Sequence, residues 1–196
     1  MPFALEHKLL KSACVVCLAL LMNSCGDSLS DRQVATVNYD QDYPAVSGGT
    51  LVDAMVGEPS GLIYIVAGES ASGAIASNIF NKLLKYDKNL DLEGELVESW
   101  EISKDQKVIT FKLKPDLKWA DGKPLTSADV LFTWQAVTDE KTASPYASDY
   151  QLVTKAEAPS PLIFKVTYAQ AYAPALDSWA GLHILPKHLL EGQDLH

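Results

Sequence analysis

Cysteine is scarce in this sequence. Its 196 residues include three cysteines, Cys14, Cys17 and Cys25, and all of them lie within the first 25 positions. If the chain is cleaved before Cys25, a single cysteine remains, which excludes an intramolecular disulfide and a zinc site built from several thiolates. The remaining domain must therefore be stabilised by a packed core, for which a 47% hydrophobic composition is sufficient.

Positive charge is also scarce. The chain has 16 lysines and arginines against 25 aspartates and glutamates, a net charge of −9. A cleaved leader of 24 residues would remove two basic residues and one acidic residue, leaving 14 against 24 and a charge of about −10. Such a surface repels a phosphate backbone, so we expect no nucleic acid among the partners.

Long apolar runs are absent apart from one, at residues 13–22, which follows Lys8 and Lys11. The ten residues of this run would span about 15 Å as a helix, roughly half of the hydrocarbon core, which is too short to cross a membrane. A basic start, a short apolar run and a small-residue cleavage region are typical of a signal peptide, which we predict at residues 1–24.

Cys25 stands directly after this leader. Residues 20–25 resemble the lipobox of bacterial lipoproteins, although Met22 and Asn23 replace the usual aliphatic and small residues. The resemblance implies lipidation of Cys25 and a protein anchored to a membrane, in the periplasm or at the cell surface. The alternative is an ordinary secretory signal in which Cys25 is incidental. Residues 25–47, with Ser, Asp, Gln and Asn, predict a flexible tether.

The remaining domain is residues 48–196, and its first half alternates strand and helix patterns. Residues 50–56 predict a first strand, which a Gly-Glu-Pro turn ends. Ser72 is a candidate N-cap, and apolar residues at helical spacing after it predict a helix to about Tyr86. Residues 87–94 have a turn-like composition. Residues 96–102 and 108–113 predict an antiparallel hairpin. The alternation of apolar and polar residues in the second strand indicates that one face of the hairpin is exposed to solvent.

The second half of the domain begins with turn and capping signals. Asp121-Gly122 predicts a tight turn, and Thr126 with Asp129 predicts a capping box that opens a second helix. The apolar stripe of this helix consists of Val130, Leu131, Trp134 and Val137. Another strand is predicted at residues 163–168, and short helices at 174–179 and 186–190. The fold class is therefore α/β with inserted antiparallel hairpins.

Three blocks of sequence, in this order, resemble the bacterial extracellular solute-binding proteins of family 5, which are the oligopeptide, dipeptide and nickel binders of ABC importers. The second block is the most specific, because it joins a tryptophan-containing strand, a second strand and a Trp-Ala-Asp-Gly turn followed by a helix. The resemblance covers about residues 48–190. The blocks are residues 49–51 with 58–59 and 80–87; residues 96–103, 110–114 and 117–130; and residues 144–147, 164 and 184–189.

The resemblance implies the fold of a type II periplasmic binding protein, of which this chain holds part of the first lobe and lacks the second. In such proteins a ligand is enclosed between two hinged lobes and delivered to a membrane permease. The implied ligand is an extended oligopeptide. The implied site is the main chain of Ala67, Gly68, Glu69, Ser70 and Ala71, together with the hydroxyl of Tyr146.

An enzyme is the first alternative class. The segment Gly68-Glu69-Ser70-Ala71-Ser72 lacks the final glycine of a nucleophile elbow, and His183 and His188, five positions apart, form no zinc-hydrolase motif. We therefore predict no catalytic residue, no metal site and no cofactor. Trp100, Trp119 and Trp134 are predicted core residues rather than platforms for sugar rings.

Two further alternatives remain open within the family resemblance. A truncated lipoprotein could keep the lobe fold and serve a structural or adhesive role, or be a relic. Relatives with this fold also take nickel complexes, opines or oligosaccharides, and no motif in the sequence separates these ligands from peptides.

Overall fold

The computed structural model describes residues 47–50 and 52–195. The chain divides into two compact units, residues 1–51 and 52–196, and the first of them contributes only residues 47–50 to the description, all exposed and without regular structure. The predicted signal peptide, Cys25 and residues 25–46 of the predicted tether lie outside the described residues.

The second unit contains four α-helices and six strands within its described residues. Strands β1 to β4 are Leu84–Tyr86, Leu92–Gly94, Val97–Ile102 and Val108–Leu113, and strands β5 and β6 are Val153–Ser160 and Ile163–Tyr168. The helices α1 to α4 are Ser70–Ile79, Ser127–Thr138, Ala175–Gly181 and Lys187–Leu190, and a 3₁₀ helix spans Ala147–Tyr150. Among these described elements, no helix has the length and apolar character needed to cross a membrane.

A four-stranded antiparallel sheet, in the order β3-β4-β6-β5, forms the centre of this unit, and β1 and β2 form a separate hairpin. In β4, Ile109, Phe111 and Leu113 are buried while Lys112 is exposed, as the alternation predicts. Phe111 pairs with Phe164 of β6 across the ladder. The predicted hairpin with one wet face is therefore confirmed, as is the strand at residues 163–168.

An aromatic part of the core lies where this sheet meets α3. Trp179 of α3 is fully buried, with its ring centroid 6.0 Å from that of Phe111 and 5.1 Å from that of Phe164. Its indole N–H donates to the hydroxyl of Tyr168 at 2.9 Å, so the buried polar group is satisfied. Tyr150 completes the cluster with a centroid distance of 5.2 Å to Trp179. These contacts fix the 3₁₀ helix that follows Tyr146.

The capping box and the tight turn predicted around residues 121–129 are both present. The carboxylate of Asp129 accepts from the Thr126 N–H at 2.8 Å, and the Thr126 side chain accepts from the Ala128 N–H at 3.3 Å. In the turn, the Gly122 N–H donates to the Trp119 carbonyl at 2.9 Å, with Gly122 at a φ of +84° that favours glycine.

The predicted helix from Ser72 to about Tyr86 is wrong at both ends. Helix α1 begins at Ser70 with Glu69 as N-cap, and it ends at Ile79 because Phe80 has an extended backbone. The apolar residues beyond it serve a different element: Leu83 and Leu84 are fully buried, and the Leu83 carbonyl accepts from the Glu95 N–H at 3.0 Å. Pairing with a distant segment has overridden the helical spacing.

The predicted strand at residues 50–56 is also not present in its described part. Residues 52–56 are exposed and have no regular structure, with Val52 and Val56 at 89% and 98% exposure. A strand needs a neighbouring strand for its main-chain hydrogen bonds, and the described residues supply none to this segment. Residues 87–94 contain the predicted turn, but they end in β2.

Candidate ligand-binding site

The segment predicted to line the ligand site leads directly into α1. Ala67 is buried, and its N–H donates to the Tyr64 carbonyl at 3.1 Å in a turn. Gly68 and Ser70 are exposed, whereas Ala71 is buried against the core. A Cβ placed on Gly68 would lie 3.8 Å from Cγ of Pro145, so the loop that carries Tyr146 packs directly against this segment.

Glu69 uses its side chain to hold the start of α1. One carboxylate oxygen accepts from the Ser60 N–H at 2.8 Å, from the Ser60 hydroxyl at 3.0 Å and from the Ser72 hydroxyl. The hydrogen bonds from Ser72 and then from Ser60 lower the pKa of the Glu69 carboxyl to about 2. The carboxylate therefore ties the loop at Ser60 to the helix, and the Glu69 carbonyl accepts from the Gly73 N–H at 3.2 Å within α1.

Tyr146 reaches the same segment from a loop 79 positions further along the chain. Its hydroxyl donates to the Ala67 carbonyl at 3.3 Å, and its ring lies 4.7 Å from that of Tyr64, tilted by 31°. Burial raises the pKa of the Tyr146 hydroxyl above its ordinary value, so the group is a neutral donor at physiological pH. The structure thus brings Tyr146 together with the segment Ala67 to Ala71.

Tyr64 and His183 belong to the same cluster, although the sequence did not single out Tyr64 and considered His183 only as part of a rejected zinc motif. The His183 ring meets Tyr64 edge-on at 4.8 Å, and its Nε2 lies 3.2 Å from the Ser77 hydroxyl of α1. Nδ1 of His183 is buried without a hydrogen-bond partner among the described residues. Burial, with a smaller contribution from Lys82, lowers the pKa of His183 to about 4. His183 is therefore neutral and packs against the Tyr64 ring, which in turn packs against Tyr146.

The other residues singled out in the sequence have structural surroundings. Nε2 of His188 lies 2.8 Å from the carboxylate of Asp121, which also accepts from the Lys123 N–H at 3.0 Å as a turn former. The predicted core tryptophans Trp100, Trp119 and Trp134 are partly buried and pack against the core. Within the described ranges, no group of three or more His, Cys, Asp or Glu side chains is arranged to hold a metal ion.

Comparison with known proteins decides the family. The family described as "Bacterial extracellular solute-binding proteins, family 5 Middle" matches residues 91–194, which is more than half of the sequence. The chain belongs to this family. The resemblance found in the sequence motifs is therefore confirmed, and so is the mixed α/β fold of a type II periplasmic binding protein, which the solved relatives share over part of their length.

Three of the most similar proteins show the range within this solute-binding family. The oligopeptide-binding protein AppA of Bacillus subtilis (strain 168) is 30% identical over 177 residues, which cover 88% of this chain and 32% of AppA. The crystal structure of Haemophilus influenzae OppA in complex with RPPGFSPFR is 28% identical, with a TM-score of 0.64, and covers 68% of this chain and 30% of OppA.

The third is NikZ from Campylobacter jejuni, solved in complex with Ni(L-His). It is 33% identical, with a TM-score of 0.57 over 60% of this chain and 24% of NikZ. The chain spans about a third of AppA and between 15% and 28% of the next curated relatives that it matches. Proteins of this family thus include peptide binders and a binder of a nickel complex.

Proposed function

We propose that this family 5 chain is part of the substrate-binding component of an ABC importer, and that the full-length protein encloses an extended oligopeptide between two lobes. The observation that carries the proposal is the hydrogen bond from the Tyr146 hydroxyl to the Ala67 carbonyl at 3.3 Å. It joins the predicted ligand tyrosine to the predicted main-chain segment, although 79 positions separate them. The oligopeptide binders among the relatives support the same ligand class.

Main-chain contacts account for a binder that accepts many peptides. Gly68 and Ser70 are exposed at the start of α1, and small side chains let an extended ligand approach their N–H and carbonyl groups. Because these contacts do not involve the ligand's side chains, they hold different sequences equally well. The Tyr146 hydroxyl, a neutral donor, exchanges the Ala67 carbonyl for a carbonyl or carboxylate of the ligand.

The last step of the proposed role is delivery of the bound peptide to the membrane permease. Lipid attached at Cys25 would hold the protein at a membrane, and the tether at residues 25–47 would let the loaded protein reach the permease of the importer. Closure of the lobes traps the peptide without any bond being made or broken. The protein would therefore act in the periplasm or at the cell surface and use no chemistry of its own.

Calorimetry of the full-length protein tests this proposal. Titration with a mixture of oligopeptides should release or absorb heat and raise the melting temperature, because a ligand that binds only the folded state stabilises it. The absence of both heat and a melting shift would contradict peptide binding.

A second, sharper test is Tyr146→Phe in the full-length protein. The substitution keeps the ring stacked on Tyr64 and removes one hydrogen bond, so peptide affinity should fall by about 0.5 to 1.5 kcal/mol. Tyr168→Phe is the matched control, because it removes a tyrosine hydroxyl that accepts from Trp179 in the core. It should reduce stability and leave affinity unchanged. Equal affinities in Tyr146→Phe and wild type would remove Tyr146 from the site.

A nickel complex is the second candidate ligand, favoured by the similarity to NikZ at 33% identity. Titration of the same full-length protein with Ni²⁺ and L-histidine together separates the two candidates. Binding of this mixture with no response to peptides would replace the peptide proposal.

A further inference from the structure

A cleft of about 330 Å³ lies beside the predicted main-chain site and shares Tyr146 with it. Its volume is at the lower end of the range for ligand pockets, so it suits one side chain better than a whole peptide. Tyrosine rings and two aspartates dominate its lining, which includes Tyr64, Tyr146, Tyr150, Tyr172, Asp149 and Asp177.

The charge of the cleft is negative. Both Asp149 and Asp177 are exposed, and no lysine, arginine or histidine is among the described residues that line the cleft. The Tyr86 hydroxyl donates to the carboxylate of Asp177 and holds it in place. The tyrosine hydroxyls are uncharged at neutral pH, and burial, with Asp149 nearby, raises the pKa of the Tyr150 hydroxyl further. The two carboxylates therefore lack a cationic partner within the cleft.

The aromatic walls are held in position by contacts with one another and with neighbouring elements. Tyr64 and Tyr146 stack on each other at 4.7 Å, and Tyr64 packs on α1 so closely that a Cβ on Gly73 would lie 3.0 Å from its ring. The Tyr150 hydroxyl donates to the Ser178 carbonyl at 2.8 Å. The ring centroid of Tyr172 lies 5.9 Å from that of Tyr168 in β6. A ligand group would meet rings that are already ordered, which lowers the entropy lost on binding.

Neutral aromatic rings, together with carboxylates that have no cationic partner within the cleft, favour one ligand chemistry. A cation is attracted to the face of a tyrosine ring and to a carboxylate, whereas an anion is repelled by both. An apolar side chain could contact the rings but would desolvate the carboxylates without compensation. We propose that this cleft is a subsite for a cationic side chain, lysine or arginine, of the bound ligand. The inference rests on the proposed function, because Tyr146 belongs to both sites.

Paired peptides test the subsite in the full-length protein. Five alanine-based pentapeptides carry lysine at one position each, and five matched peptides carry norleucine, which has a similar apolar stem and no charge. At one position, lysine should bind about fivefold more tightly than norleucine. Asp149→Asn and Asp177→Asn should each reduce this preference to about twofold, chiefly by weakening the binding of the lysine peptide. In Asp177→Asn the amide oxygen remains an acceptor for the Tyr86 hydroxyl, so the fold is retained.

Asp91→Asn is the matched control, because Asp91 is an exposed aspartate in the turn between β1 and β2 and does not line the cleft. It changes the net charge equally and should leave the lysine preference at its wild-type value. An equal loss in this variant would mean that only the overall charge matters, which would overturn the subsite.

A small probe separates failure of the subsite from failure of the proposed function. n-Butylguanidinium, with n-pentanol as the uncharged control, should bind the wild type and bind several-fold more weakly to Asp149→Asn and Asp177→Asn. If peptides bind with no preference for lysine at any position, the subsite is overturned and the proposed function stands. If no peptide binds but the probe binds through the two aspartates, the subsite stands and the peptide proposal fails. If neither binds, both are overturned.

Discussion

Helices α1 and α2 each have a carboxylate near the N-terminus, Glu69 as the N-cap of α1 and Asp129 in the first turn of α2, but the two carboxylates serve different purposes. In α2, Asp129 is only 5% exposed and accepts from the Thr126 N–H at 2.8 Å and from the Lys187 N–H at 3.0 Å, so it joins the helix to a segment 58 positions away. In α1, Glu69 is partly exposed and binds Ser60 in the preceding loop. The first carboxylate is part of the core, and the second lies beside the predicted ligand site.

The two helices also differ in how many of their residues are buried. Helix α2 buries six of its 12 residues, whereas α1 buries three of its 10, namely Ala71, Ser72 and Ala76. Small residues give α1 little apolar area, so its position depends on contacts at its ends: Glu69 with Ser60 at the start and His183 with Ser77 near the end. The helix beside the predicted site is thus held by a few polar contacts, and the helix that carries the fold is held by packing.

The largest expected effect is that of Asp129→Ala in the full-length protein. It removes the capping box and leaves the N–H groups of Thr126 and Lys187 without an acceptor, so we expect a loss of about 3 kcal/mol in the free energy of unfolding. Denaturant unfolding followed by circular dichroism measures it. Asp91→Ala, at an exposed turn position, should change stability by less than about 0.5 kcal/mol. Equal losses in the two variants would contradict a core role for Asp129.

A second prediction concerns the other end of α1 and its dependence on pH. The pKa of His183 is 6.5 in an unfolded chain and about 4 when buried, so between these values the unfolded chain binds a proton that the folded protein does not. Stability is therefore complete above pH 6.5 and falls as the pH drops towards 4, by at most about 1.4 kcal/mol per pH unit. The measurement is the free energy of unfolding across this window.

His183→Asn provides the control for this pH dependence. The variant should lower stability at pH 7, because it removes the ring that packs on Tyr64, but its stability should change less between pH 6.5 and 4 than that of the wild type. Parallel curves for the two proteins would show that another group titrates in this window and that α1 is not held by a neutral histidine.

Local signals explain what could be predicted from the sequence. The capping box at Thr126 and Asp129, the Asp121-Gly122 turn and the hairpin of β3 and β4 each depend on residues within a few positions of one another, and all are present. The end of α1 depends instead on the pairing of residues near Leu83 with residues near Glu95, and helical spacing carries no information about it.

The site was less predictable because its contacts are distant in sequence. Ser77 and His183 are 106 positions apart, and Tyr146 and Ala67 are 79 apart. The family resemblance supplied Tyr146 and the segment that begins at Ala67, but no periodicity or spacing placed Tyr64 or His183 beside them. The cleft next to Tyr146 likewise arises from three separate segments of chain, so only the folded structure reveals it.

The smallest expected effect is that of Glu69→Gln, which tests whether the start of α1 is held by charge. The pKa of Glu69 falls from 4.5 in the unfolded chain to about 2 in the folded protein, so its contribution to stability is present above pH 4.5 and is lost as the pH falls to 2. Glutamine keeps an acceptor for Ser60 but not the charge. The variant should therefore be slightly less stable at pH 7 and should converge with the wild type towards pH 2.

Amide hydrogen exchange locates this effect. The carboxyls of Asp87, Asp105 and Asp121 also have lowered pKa values and titrate in both proteins, so the difference between wild type and Glu69→Gln isolates Glu69. Protection at pH 7 should fall in the first turns of α1 and stay unchanged in α2, because the Asp129 capping box is untouched. If α2 lost protection equally, the two helices would unfold as one cooperative unit, and the division between a site helix and a core helix would have to be abandoned.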